Sequence, residues 1–136
     1  MTILEGIRDY LKTCPGLAGL TLGDLGEEPG AACLRAVPGE LEQTEYLDGA
    51  SLRRMQILLL VRRGFGGAEE SRAESLEALE ELAETLEQGT RRGDLPDLGA
   101  GRRAWSLRPA ELAADVQEDG WLVDQMTIAL TYFQEG

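Results

Sequence analysis

Histidine is absent from this chain of 136 residues, and lysine occurs once, at Lys12. Without an imidazole there is no Ser/His/Asp or Cys/His nucleophilic set, no histidine metal ligand and no His general base. A phosphate-cradling loop needs glycines followed by Lys and Ser or Thr, and the single lysine sits in the first predicted helix, so that motif is excluded. Cysteine is scarce too. Cys14 and Cys33 match neither a CxxC redox pair nor a zinc ribbon, and read as free thiols in a reducing compartment. No segment approaches the roughly 20 apolar residues of a membrane span. The opening "MTILEGIRDYLKTCPG" is broken by Glu5, Arg8, Asp9 and Lys12 and lacks the apolar centre of a signal peptide. A soluble intracellular protein is expected.

What is present is acid. Twenty-five Asp and Glu face 13 basic residues, for a formal net charge of -12. Such a surface repels nucleic acid and anionic membranes, except where arginines cluster locally. Twelve of the basic residues are arginines, whose planar guanidinium suits carboxylate pairing. The length fits one domain over residues 1–136 with a single core.

Ile3, Ile7, Tyr10 and Leu11 recur at helical spacing after Thr2, a capping residue, and "CPG" at 14–16 ends the pattern. "GLAGLTLGDLGEEPG" reads as irregular, anchored by Leu20, Leu22 and Leu25. "AACLRAV" and "LEQTEYL" read as a hairpin around "PGE". "SLRRMQILLLVRR" is a strand apolar on both faces at its centre, which predicts an inner strand with a helix on its second face. "SRAESLEALEELAETLEQG" predicts a helix capped by Ser71 with Glu74 and ended by Gly89, its apolar stripe being Leu76, Leu79, Leu82, Ala83 and Leu86. "RRAWSL" alternates with Trp105 and Leu107 on one side, and "ELAADV", "QEDG" and "WLVDQMTIALTYF" predict a last hairpin. In its second strand Met126, Ile128, Leu130 and Tyr132 face one way, and Gln125, Thr127 and Thr131 the other. The order predicts an α+β fold: a mostly antiparallel sheet with an N-terminal helix and a central amphipathic helix packed on it.

The remaining chemistry is thin. "GFGGAEE" departs from the dinucleotide pattern, with Glu69 at the third glycine position, and reads as a hinge. "DVQEDG" lacks the alternating oxygen ligands of a calcium loop. Trp105 and Trp121 lie outside any basic patch and are expected to pack at sheet ends. No catalytic, cofactor-binding or metal residues are assigned, and a non-enzymatic protein is expected. Glu77, Glu81 and Glu84 share one helix face at i, i+4 and i+7, a face for solvent or for a neighbour's arginines. Alternation sends Arg53 and Arg54 to opposite faces of their strand, and Arg62 and Arg63 likewise. Arg53 and Arg63 share the strongly apolar face and are expected to be structural, whereas Arg54 and Arg62 are the candidates for assembly.

Taken in order, "MTILEGIRDYLKTCPGL", "YLDGASLRRMQILLLVRR", "LPDLGAGRRAWSL" and "ADVQEDGWLVDQMTIALTYFQE" together resemble a family of phage minor capsid proteins, similar to the tail terminator or head-tail joining proteins of long-tailed phages and prophages. The resemblance runs over most of the chain as a layout, without a catalytic signature. It implies a tail-terminator-like fold and a ring, commonly a hexamer, that caps the tail tube and takes part in head-tail joining. The partners implied are other copies of the chain and tail-tube or head-completion proteins, with DNA only passing through the lumen and no membrane, cofactor or small-molecule substrate. The implied location is the bacterial cytoplasm during assembly, then the virion neck or tail end. On this reading Arg54 and Arg62 of one copy face Glu77, Glu81 and Glu84 of the next. The alternative is a small acidic adaptor or regulator that binds a basic protein.

Overall fold

The computed structural model describes residues 2–28, 30–37, 42–64, 69–118 and 121–136. Helix α1 (Ile3–Leu11) starts as its sequence predicts. The Glu5 amide donates to the Thr2 hydroxyl at 3.1 Å, and the Thr2 amide donates to the Glu5 carboxylate at 3.1 Å. This box satisfies two amides that the helix itself leaves unpaired. Ile7 and Leu11 are fully buried, and beyond Pro15 the backbone turns at Gly16 with φ of 83°.

Among the described residues six strands follow: β1 (Thr21–Leu22), β2 (Ala32–Ala36), β3 (Glu42–Glu45), β4 (Ser51–Gly64), β5 (Arg102–Glu118) and β6 (Trp121–Gln134), with helix α2 (Glu69–Arg92) between β4 and β5. They form one sheet in the order β1-β2-β4-β6-β5, with β3 also on β4. Only β1 and β2 run parallel; the other pairs are antiparallel. The fold is α+β. As its two apolar faces predict, β4 is an inner strand, with β6 on one side and β2 and β3 on the other.

The expected β2–β3 hairpin is replaced by another arrangement. β2 pairs with Ile57–Val61 and β3 with Ser51–Arg54, so the two occupy successive halves of the same flank of β4. The hairpin joins β3 to β4 instead. At its turn the Tyr46 amide donates to the Ala50 carbonyl at 2.8 Å, the Asp48 carboxylate accepts from the Ala50 amide at 3.0 Å, and Gly49 takes φ of 87°. Asp-Gly is the turn chemistry such a connection requires. The "PGE" turn lies outside the described residues.

Both helices lie on one face of the sheet. Ile7 and Leu11 of α1 and Leu79 and Leu86 of α2 share a core with Ile57, Leu59 and Val61 of β4 and Met126, Ile128 and Leu130 of β6. The second face carries a smaller cluster of Cys33, Leu60 and Val123, against which Leu25 and Leu58 pack. What covers that cluster is the segment 23–28, with Leu25 packed on it, where a helix was expected. Arg35 Nε donates to the Gly23 carbonyl and Arg62 Nε to the Gly26 carbonyl, each at 2.7 Å, and the Gly30 amide donates to the Arg62 carbonyl at 2.7 Å.

Helix α2 runs past Gly89 to Arg92, and Gly93, with φ of 75°, provides the left-handed terminus expected at Gly89. It begins at Glu69, which places Ser71 inside the helix rather than at its cap. The former "RRAWSL" and "ELAADV" segments are one strand, β5, continuing through Pro109. An edge strand tolerates proline because its outward N–H has no strand partner to lose. Between the pairs Ala104↔Tyr132 and Ser106↔Thr131 the register shifts, leaving Trp105 as the extra residue of a β-bulge. Leu107 is therefore buried while Trp105 is 62% exposed, correcting both their expected common side and the packed tryptophan. The outer edge of β5 is partly covered. The Leu107 amide donates to Thr90 Oγ1 at 3.1 Å, and that hydroxyl donates to the Leu107 carbonyl at 2.9 Å.

Candidate functional site

Strand register fixes which side chains share the helix-free face. Leu52, Phe133 and Arg103 form one row across β4, β6 and β5; Arg54, Thr131 and Ser106 form the next; Gln56, Ala129 and Arg108 form the third. This face therefore carries Arg54, Arg103 and Arg108 beside apolar groups. Arg108 curls round the edge to Glu87 of α2 at 3.6 Å, an exposed pair of small energetic weight. Arg103 is exposed and makes no ion pair among the described residues.

At the β3–β4 turn end of this face lies a cleft of about 570 Å3 lined by Tyr46, Leu52, Arg102, Arg103, Trp105 and Phe133, among others. Tyr46 and Phe133 rings lie 6.2 Å apart in a tilted arrangement. Arg102 Nε donates to the Gln134 side-chain oxygen at 3.2 Å, which fixes one wall. A second depression runs from Leu52 and Trp105 past Arg54 to Thr90 at the far end of α2. Leu47 stands fully exposed beside Tyr46. Three of the five exposed large apolar residues among the described ones, Tyr46, Leu47 and Trp105, thus gather in one place, as they do on surfaces that meet a partner.

The opposite side of the molecule is acidic. Glu74, Glu77, Glu80, Glu81 and Glu84 are all exposed along α2, and none forms an ion pair among the described residues. Leu79 and Leu86 turn inward as expected, with Leu82 and Ala83 half-buried, but Leu76 is 42% exposed and stands among the glutamates. The helix pivots on its Leu79–Leu86 stripe, and Leu76 falls on the outer flank.

The candidate residues separate accordingly. Arg54 is exposed on the helix-free face, while Glu77, Glu81 and Glu84 lie beyond the sheet on the other side. Within one chain they do not meet. Arg62 shares the face of Arg54 but holds the segment 23–28 through the Gly26 carbonyl. Arg53, on the core side, is half-buried and donates to Ser51 Oγ at 3.0 Å. The Arg63 and Trp121 side chains lie outside the described residues. Sequence reasoning missed the grouping of Tyr46, Leu47 and Trp105. The signal for the first two was the Asp48-Gly49 turn; the bulge at Trp105 has none in the sequence. Asp124, opposite Val61 in β6, is buried and engaged.

Two further sites are structural. Tyr10 Oη donates to the Asp94 carbonyl at 2.8 Å, and the phenol is pushed above its ordinary pKa by burial, with Asp94 and Cys14 adding to the shift. Burial also raises the Cys14 thiol. Cys14 and Cys33 are buried and not joined in a disulfide; Cys14 belongs to the main core and Cys33 to the smaller cluster. Among the described residues no three His, Cys, Asp or Glu side chains gather to hold a metal, and no helix is long and apolar enough to cross a membrane.

No family model and no curated protein matches the chain. A solved structure does. The chain is similar to one in the virion of a native gene transfer agent (GTA) particle, with a TM-score of 0.53 and 12% identity, over 98% of this chain and 92% of that one. At that identity the likeness concerns the fold.

Proposed function

We propose that this protein is a structural component of a phage-type virion: a minor capsid protein of the tail-terminator kind that caps the tail tube as a ring and takes part in head-tail joining. The observation that carries the reading is the shared fold over nearly the full length of both chains with a component of a gene transfer agent virion. It agrees with the four sequence stretches that resemble tail terminators, from "MTILEGIRDYLKTCPGL" to "ADVQEDGWLVDQMTIALTYFQE". Two unlike faces, one acidic and one carrying arginines and aromatics, suit head-to-tail contacts that close into a ring. No catalytic step is assigned to the chain. Its acidic balance suits a ring through which DNA passes without adhering.

Electron microscopy of tails assembled with and without the protein tests this. Tubes of uncontrolled length, or heads and tails left unjoined, are expected when it is missing. Tubes of normal length joined to heads in its absence would sink the proposal.

A further inference from the structure

The face-to-face contact that such a ring needs can be placed on particular residues. We infer that the aromatic cleft at the β3–β4 turn end of the sheet receives the outer side of helix α2 from a second copy of this chain, with Leu76 as the inserted apolar side chain. This rests on the ring reading above.

The cleft is apolar at its centre, through Tyr46, Leu52, Trp105 and Phe133, and bordered by two arginines, Arg102 and Arg103, against one carboxylate, Glu135. Its complement is an apolar side chain surrounded by carboxylates. Among the described residues α2 presents such a surface: Leu76 is 42% exposed, flanked by Glu77 and Glu80, with Glu84 on the same flank. Residues three and four apart stand together on a helix surface, so Leu76, Glu77, Glu80 and Glu84 form one continuous stripe. Arg103 and these glutamates are exposed and make no ion pair among the described residues.

The sheet lies between cleft and stripe, so they can meet only across two subunits. Because the surfaces are unlike, the contact is heterologous: each copy offers one cleft and one helix, and a chain of such contacts closes when the rotation between neighbours permits. Arginine beside carboxylate fixes register, and burial of tryptophan and leucine in the middle of the contact drives it.

Mixing two variants tests the contact. Trp105→Glu disables the cleft and Leu76→Glu disables the stripe. Both sites are exposed, and unchanged circular dichroism and melting should report an intact fold. By analytical ultracentrifugation the wild type self-associates with concentration, each variant alone loses that association, and an equimolar mixture forms a species of two subunits and nothing larger. Trp105→Phe retains association. A wild type that associates while its mixed variants stay monomeric, or either variant associating alone like the wild type, overturns this contact and leaves the ring reading standing. A wild type that never self-associates, in solution or on tails, overturns both. Should a glutamate variant misfold, Leu76→Cys combined with Trp105→Cys replaces it: mild oxidation then yields a ladder of linked subunits, and the absence of any intersubunit bond overturns the contact.

Discussion

Gly89 shows how one residue resolves a conflict between local propensity and packing. Alanine would serve the interior of α2 better by about 1 kcal/mol. A Cβ there, however, would stand 2.5 Å from Tyr10 Oη and 2.9 Å from the Asp94 carbonyl oxygen, the two atoms that join α1 to the end of α2. Gly89→Ala is therefore expected to lower stability by about 1–3 kcal/mol, as overpacking does, and a rise in melting temperature would contradict that. Tyr10 titrates above its ordinary value of about 10 in the folded chain. Because the folded value is the higher one, its contribution is complete below the unfolded pKa and fades as pH rises through the folded pKa. Urea midpoints measured across that alkaline range should fall in the wild type and fall less in Tyr10→Phe. Equal slopes would assign the alkaline loss to other groups.

Elements were legible where a single periodicity governed them. The spacing of Ile3, Ile7, Tyr10 and Leu11 after Thr2 announced α1, and the alternation from Met126 to Tyr132 announced β6 and the side it buries. Pairing was harder, because it depends on turns and on what each strand lies beside. β2 and β3 read as each other's partners, yet the 14 residues of β4 are long enough to accept both, and the Asp48-Gly49 turn commits β3 to β4. Trp105 and Leu107 could not be separated by alternation, since the bulge that divides them is a property of the β5–β6 pair. Leu76 fits the helical stripe by spacing but misses the core by its angle. The edge of β5 owes its cover to one hydroxyl. Thr90→Val keeps the volume and removes both hydrogen bonds with Leu107. A loss of about 1–3 kcal/mol is expected, with faster hydrogen exchange at the Leu107 amide; protection equal to wild type would show that the hydroxyl is dispensable.

At the scale of the whole molecule, a charge of -12 sets copies against one another, while in the proposed contact the cleft and the α2 stripe draw them together. The repulsion is spread over the surface, whereas the attraction is a local contact with an apolar centre. Raising ionic strength from about 0.01 M to 0.15 M shortens the screening length from about 30 Å to about 8 Å, so self-association should strengthen over that interval. Weakening would mean that ion pairs dominate the contact. The arrangement of candidate residues gives the same picture. Arg54 and the glutamates Glu77, Glu81 and Glu84 lie on opposite sides of the sheet, where no single subunit can pair them. The measurement that bears most directly on the proposed role is a cryo-electron microscopy reconstruction of the neck and tail of phage-type virions assembled in cells that make this protein. The account predicts a ring of this chain at one axial position, at the end of the tail tube next to the head, with α2 of each subunit against the aromatic cleft of its neighbour. Virions that lack the chain at that position, or that carry it as isolated subunits elsewhere, would contradict it.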